Sequence, residues 1–283
     1  MDAAAVIPYT RHAIATGVGQ PRTVDVWLPP VAGPYSVLYM QDGQNLFDPA
    51  QSYSGVTWGV AETVTRLTAQ GRIPPAMVVG IHNVPNRMGE YMPAKAVTRT
   101  PESRRLVQKD IDGWRAEVRK TDPDLATWVE PRFTADDYLR FLVHELKPFI
   151  DSTYATLPAP AHTALVGSSM GGLISAYGFC EYPQVFGRAG CLSTAWTVGN
   201  GVAVSWFAEA LPAPQGRRIY FDYGTEGLDA DYEPFQARAD AALHAAGYRA
   251  GVDCLTRKFP GHLHHESAWA ERLHVPLEFL LAP

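Results

Sequence analysis

The chain has 283 residues, 46% of them hydrophobic and 19% charged, with a formal net charge of −5. That length suits one large domain better than two and supplies apolar material for a sizeable core, while the weakly acidic balance argues against nucleic acid or an anionic membrane as a partner. The three cysteines, Cys180, Cys191 and Cys254, form no CxxC pair; they read as buried small hydrophobes rather than a disulfide framework or zinc site. Met1 to Pro8 lacks the basic start and long apolar core of a signal peptide, and no segment approaches the roughly 20 apolar residues of a membrane span. A soluble, cytoplasmic protein is the expectation, unless an export signal has been removed ahead of Met1.

In chain order, Thr23 to Leu28 alternates with period two and stops at Pro29-Pro30, which predicts a strand. Tyr35 to Met40 and Met77 to Ile81 are short apolar runs, the pattern of strands buried on both faces. Between them, Val60, Val64 and Leu67 place apolar residues at helical spacing within Trp58 to Leu67. Residues 84–132 form the least regular stretch, rich in charges and prolines, with Tyr91, Trp114 and Trp128 scattered through it. Loops of that length tend to be functional or disordered. The stretch is therefore expected as a lid or cap containing one amphipathic helix, Arg104 to Lys120, or equally as a solvated surface excursion.

Regularity returns at Asp136-Asp137-Tyr138, an acidic helix start that leads into apolar residues as far as Phe149. Strand and helix then alternate: Thr163 to Val166, Met170 to Cys180, Ala189 to Leu192, Val202 to Leu211, Arg218 to Tyr223, Tyr232 to Ala246, Val252 to Phe259 and Ser267 to Leu281. Such alternation predicts an α/β fold with a mostly parallel sheet covered on both faces. The strands near the N-terminus add an antiparallel edge, which makes the sheet mixed. One domain, 1–283, with 84–132 as its excursion, is the simplest organisation.

Gly167-Ser168-Ser169-Met170-Gly171 matches G-x-S-x-G with Ser169 at its centre. The pentapeptide alone is weak, since a tight turn or a phosphate-binding loop can look similar. No lysine follows the glycines, which removes the phosphate-loop reading. Ala164-Leu165-Val166 runs in as a strand and Gly171 to Ala176 runs out as a helix, the strand–turn–helix setting of a nucleophile elbow. The helix would aim unpaired N–H groups and its dipole at the site, making Met170 N–H a candidate oxyanion donor. A serine hydroxyl needs a base. With the chain order Ser, acid, His, His262, His264 and His265 qualify, whereas His274 falls mid-helix. The acid belongs in the turn after Arg218 to Tyr223, where Glu226, Asp229 and Asp231 all stand; Asp231 also suits a helix cap.

Three segments in this order, Val37 to Phe47, Gly167 to Gly172 and His264-His265-Glu266-Ser267-Ala268-Trp269, make the chain resemble the putative esterase family of α/β-hydrolases. That group includes esterase D, feruloyl and acetyl-xylan esterases, enterochelin-esterase-like proteins and secreted mycolyltransferases. The resemblance runs from about Thr23 to Leu281 and implies a three-layer α/β-hydrolase sandwich of about eight strands. It implies Gln44 N–H, in the Asp42-Gly43-Gln44 turn, as the second oxyanion donor beside Met170 N–H. Members often show a His, one polar residue, then Glu and a later Trp, which selects His264. A Gly-Thr turn leading into Leu-Asp-Ala points to Asp229 as the acid, with Glu226 as the alternative. Arg87, Glu90, Tyr91 and Pro93 resemble a family segment near the mouth of the site.

The expected activity is that of a serine carboxylic-ester hydrolase: a Ser169–His264–Asp229 triad working through a covalent acyl-enzyme, without cofactor or metal. Its substrates would be small-molecule or carbohydrate-linked esters, siderophore-like lactones included. Three rivals differ. A metallohydrolase would use His262, His264 and His265 with Asp222 or Asp231, although adjacent loop residues seldom converge on one ion. A binding protein could sit on a hydrolase scaffold, and an acyltransferase would use the same triad with an alcohol as acceptor.

Overall fold

The computed structural model describes residues 7–17, 21–121 and 131–282. Residues 1–6, and 122–130 with Trp128, lie outside the described residues. Eight strands form one sheet: β1 Thr10–Ile14, β2 Arg22–Trp27, β3 Ser36–Gln41, β4 Ala76–Ile81, β5 Thr163–Ser168, β6 Arg188–Leu192, β7 Arg218–Tyr223 and β8 Cys254–Lys258. Their order is β1-β2-β4-β3-β5-β6-β7-β8. At one edge β1 runs antiparallel to β2 and β2 antiparallel to β4, and the other neighbouring pairs are parallel.

Strand sequence decides which core each side chain enters. In β3, Val37 and Tyr39 join one cluster while Leu38 and Met40 join the other. β4 divides Met77 and Val79 from Ala76 and Val78, and β7 divides Ile219 and Phe221 from Tyr220. Successive side chains point to opposite faces, so a run apolar at every position requires cover on both. One face is covered by α1 Val60–Ala69, α10 Glu266–Arg272 and α11 His274–Leu281, through Val64, Leu67, Trp269, Leu277 and Leu280. The other is covered by α5 Ala135–Phe141, α7 Met170–Glu181, α8 Val202–Ala210 and α9 Glu233–Ala245, through Leu139, Leu173, Tyr177, Phe207 and Leu243. Between α5 and α6 Lys147–Thr153 the helix passes through a π turn at Leu142–Leu146.

Three expectations change. The sequence pattern predicts no element at β1, and the helix expected over Ser267 to Leu281 is two. The break falls at Leu273, where Pro276 has no N–H to give the Arg272 carbonyl. The stretch expected as irregular holds three helices: α2 Arg87–Tyr91, α3 Ala94–Thr98 and α4 Pro101–Thr121. Thr100 Oγ1 accepts from Ser103 N–H at 3.0 Å, capping α4. Val107 and Ile111 are buried while Arg104, Arg105 and Lys109 face outward. Asp110 accepts from Gly199 N–H at 2.7 Å, which ties α4 to the loop after β6. Cys180, Cys191 and Cys254 are free and buried. No helix among the described residues is long and apolar enough to cross a membrane.

Candidate active site

The C-terminal ends of the parallel strands β3, β5, β7 and β8 converge, the place where open α/β sheets bind ligands. β5 stops at Ser168 and α7 starts at Met170, leaving Ser169 alone between them at φ 57°, ψ −123°. A side chain other than glycine pays backbone strain there, so the turn is held from both sides. Ser169 N–H donates to Leu192 O at 2.9 Å, and Ser169 O accepts from Gly172, Leu173 and Ala195 N–H at 3.1–3.2 Å. The tightness requires Gly167, because a Cβ there would sit 2.5 Å from Gly171 O. Ser169 remains partly accessible.

A second turn follows β3. Asp42 takes a left-handed conformation at φ 55°, ψ 49°, and Gly43–Asn45 form a short 3₁₀ turn. The Asp42 carboxylate accepts from Arg87 Nε and Nη2 at 2.6 and 2.7 Å and from Asn83 Nδ2 at 2.6 Å. Gly43 lies against β4, where a Cβ would come within 2.3 Å of Gly80 C. Among the described residues, neither Gln44 N–H nor Met170 N–H meets an acceptor. Of the family-like segment, Arg87 thus clamps the Asp42 turn, Tyr91 OH accepts from Asp42 N–H at 3.3 Å, and Glu90 pairs with Arg22 at 2.6 Å.

The turns after β7 and β8 meet. His264 Nδ1 and Asp229 Oδ1 are 2.6 Å apart, with Asp229 fully buried and the His264 side chain 12% exposed. Asp229 Oδ2 accepts from Ser193 Oγ at 2.5 Å and Gly224 N–H at 2.6 Å. Burial pushes the Asp229 carboxyl up, but the bonds from His264, Ser193 and Gly224 outweigh it and leave the group below the usual carboxylate range. The two turns are also stitched by backbone. His262 O accepts from Thr225 and Glu226 N–H at 3.1 and 3.2 Å, Gly261 N–H donates to Thr225 Oγ1 at 2.8 Å, and Phe259 N–H to Tyr223 O at 2.9 Å.

The alternatives separate cleanly. Glu226 and Asp231 are exposed. His265 Nδ1 accepts from Ser267 N–H at 3.2 Å and caps α10, and the His262 ring packs on Phe259 at 5.3 Å. The three loop histidines therefore point to different partners, and Asp222 is held by Arg272 at 2.9 Å. Among the described residues no three His, Cys, Asp or Glu side chains cluster as metal ligands.

Several residues went unforeseen. Tyr232, just before α9, meets the His264 ring edge-on at 5.8 Å, and its phenol interacts with the Ser169 hydroxyl. Burial and the Asp229 charge push that phenol well above its ordinary value, so it stays protonated. Trp269 also meets the imidazole edge-on, at 5.1 Å. Ser193 and Arg272 stand behind Asp229. The only sequence signals for these were the later Trp of the histidine segment and a polar residue directly after a buried strand.

A mixed eight-stranded sheet of this order, with a serine strained between its central strand and the following helix, defines an α/β-hydrolase. The chain belongs to the family described as Putative esterase, whose profile matches residues 15–124 and 128–280. It is 22% identical over 274 residues, 92% of each chain, to the uncharacterized protein YbbA of Bacillus subtilis (strain 168). Solved structures share the fold. The enterobactin esterase FES from Shigella flexneri superposes with a TM-score of 0.69 at 18% identity, over 98% of this chain and 59% of that one. An IroE-like serine hydrolase from Shewanella oneidensis gives 0.69 at 19%, over 97% and 80%. The ferulic acid esterase AmCE1/Fae1A from Anaeromyces mucronatus gives 0.63 at 18%, over 98% and 92%. The chain thus spans about three fifths of the length of the Shigella esterase.

Proposed function

We propose that this protein is a serine carboxylic-ester hydrolase built as one α/β domain, with Ser169 as nucleophile, His264 as base and Asp229 as the acid that orients it. The observation that carries the reading is the 2.6 Å contact of His264 with buried Asp229, on an imidazole packed edge-on by Tyr232 and Trp269. Ser169 Oγ attacks the ester carbonyl carbon as its proton passes to His264 Nε2. Asp229 accepts from Nδ1–H throughout and stabilises the imidazolium. The N–H groups of Met170 and Gln44 receive the developing oxyanion, each worth about 3 kcal/mol of transition-state stabilisation. Collapse expels the alcohol, which takes its proton from His264. Water then gives a proton to His264, attacks the acyl-enzyme and releases the acid, and Ser169 regains its hydrogen.

The substrates are small esters of the carbohydrate-linked or siderophore-like kind, a reading supported by structural neighbours named for enterobactin and ferulic acid. The helices α2–α4 border the site through Arg87 and the loop after β6. A fluorophosphonate probe is expected to label Ser169 in the wild-type protein and to lose that label in Ser169→Ala. A wild-type chain that stays unlabelled overturns the assignment. A panel of p-nitrophenyl esters of rising acyl length, followed by feruloyl and acetyl-sugar esters, then ranks the substrates.

A further inference from the structure

Counting donors and acceptors behind Asp229 leaves one solution. Ser193 follows β6, is fully buried and stands at φ 41°. Its Oγ is 3.0 Å from Trp269 Nε1, 2.7 Å from Arg272 Nη2 and 2.5 Å from Asp229 Oδ2. Indole and guanidinium nitrogens only donate, and a hydroxyl has two lone pairs and one hydrogen. Trp269 and Arg272 fill the lone pairs, so the hydrogen goes to Asp229. Oδ2 then holds two donors, Ser193 O–H and Gly224 N–H, and Oδ1 is left for His264.

Arg272 is itself fixed. It is 1% exposed, bonds Asp222 at 2.9 Å and lies over the Phe259 ring at 5.0 Å. Its direct distance to Asp229 Oδ2 is 4.0 Å, so it reaches that carboxylate through the Ser193 hydroxyl. The Ser193 backbone is pinned separately, N–H donating to Asp222 O at 2.9 Å.

We propose that Ser193 is a positioning residue for ester hydrolysis: its hydroxyl, oriented by Trp269 and Arg272, holds the Asp229 carboxylate in the rotation that presents Oδ1 to His264 Nδ1 and thereby fixes the orientation of the imidazole. The proposal rests on the triad assigned above. Ser193→Gly removes the hydroxyl at a backbone angle that glycine adopts without strain, and Ser193→Ala removes it while keeping Cβ. Activity is normalised to the fluorophosphonate-reactive fraction, so loss of folded protein does not count. Both variants are expected to label at Ser169. Both are expected to lose about tenfold or more in kcat, equivalent to about 1.4 kcal/mol, with KM within about twofold. The downfield proton resonance of the His264 Nδ1–H, sharp in wild type, should shift or broaden in both.

Rates and resonance unchanged in Ser193→Gly overturn the proposal. So does a loss confined to one of the two variants, since both lack the hydroxyl, and so does a rate loss with the resonance unmoved. Absence of labelling in wild type would instead fell the triad itself.

Discussion

Asp229→Asn removes one oxygen and almost no volume, so its effect can be worked out from hydrogen-bond geometry. Three donors converge on the two carboxylate oxygens: Ser193 O–H and Gly224 N–H on Oδ2, His264 on Oδ1. The asparagine has one oxygen and one NH₂. Gly224 N–H cannot become an acceptor, and the Ser193 lone pairs are taken by Trp269 and Arg272. The amide oxygen must therefore take the Oδ2 position, which turns the NH₂ toward His264 Nδ1. The imidazole then accepts at Nδ1 and carries its hydrogen on Nε2, the nitrogen that should receive the Ser169 proton. The same tautomer error in a serine protease triad costs about 10⁴ in kcat, equivalent to about 5.4 kcal/mol, with the oxyanion donors still in place. Hydrolysis of a p-nitrophenyl ester, normalised to folded protein by circular dichroism, measures it, with Glu226→Gln as the control that stays near wild type. An Asp229→Asn rate within tenfold of wild type, or a larger loss in Glu226→Gln, would refute the reasoning.

Three other outcomes follow from neighbouring geometry. Gly43→Ala puts a Cβ 2.3 Å from Gly80 C. Overpacking of this kind costs about 1–3 kcal/mol, and displacing Gln44 N–H is expected to lower kcat by about 10²; an unchanged melting temperature would count against the contact. Tyr232→Phe keeps the ring against His264 and removes only the hydroxyl facing Ser169, so kcat should fall by about two- to tenfold, and a rate equal to wild type would refute the interaction. Burial raises the Asp25 carboxyl, but bonds from Arg11 and His82 outweigh it and hold the group below its ordinary value. Its charged form is favoured in the folded state, so the stabilisation is complete above about pH 4 and fades as pH falls through the folded value. Asp25→Asn should therefore cost about 1–2 kcal/mol at pH 7, a figure reduced by the 45% exposure of the Arg11 side chain, and much less at pH 3. Urea unfolding at the two pH values decides, and equal costs would contradict the sign.

The parallel strands were legible because burial on both faces forces apolar runs such as Val37 to Met40. β1 was not: Thr10-Arg11-His12 lies at an edge with its outer residues exposed, and its identity rests on pairing with β2. α2 and α3 are each five residues long, too short for periodicity to register. Pro276 was in plain view, and the apolar spacing across it disguised the break. At the site, Ser169 could be read because its strand, turn and helix are contiguous. Choosing Asp229 over Glu226 from the residues alone could not be done, since burial separates them and burial is tertiary. Ser193, Asp222, Trp269 and Arg272 come from three stretches of chain, and only folding makes them one cluster.

The backbone bonds between the turns after β7 and β8 have a wider meaning for how such a chain can change. His262 O holds Thr225 and Glu226 N–H, and Thr225 holds Gly261, so Asp229 and His264, the proposed acid and base, are mounted on a single cassette at one margin of the sheet. The helices of 87–121 lie elsewhere in the sequence and reach the site by other contacts. The rim helices can therefore change stretch by stretch without disturbing the bonds that hold the proposed acid and base together.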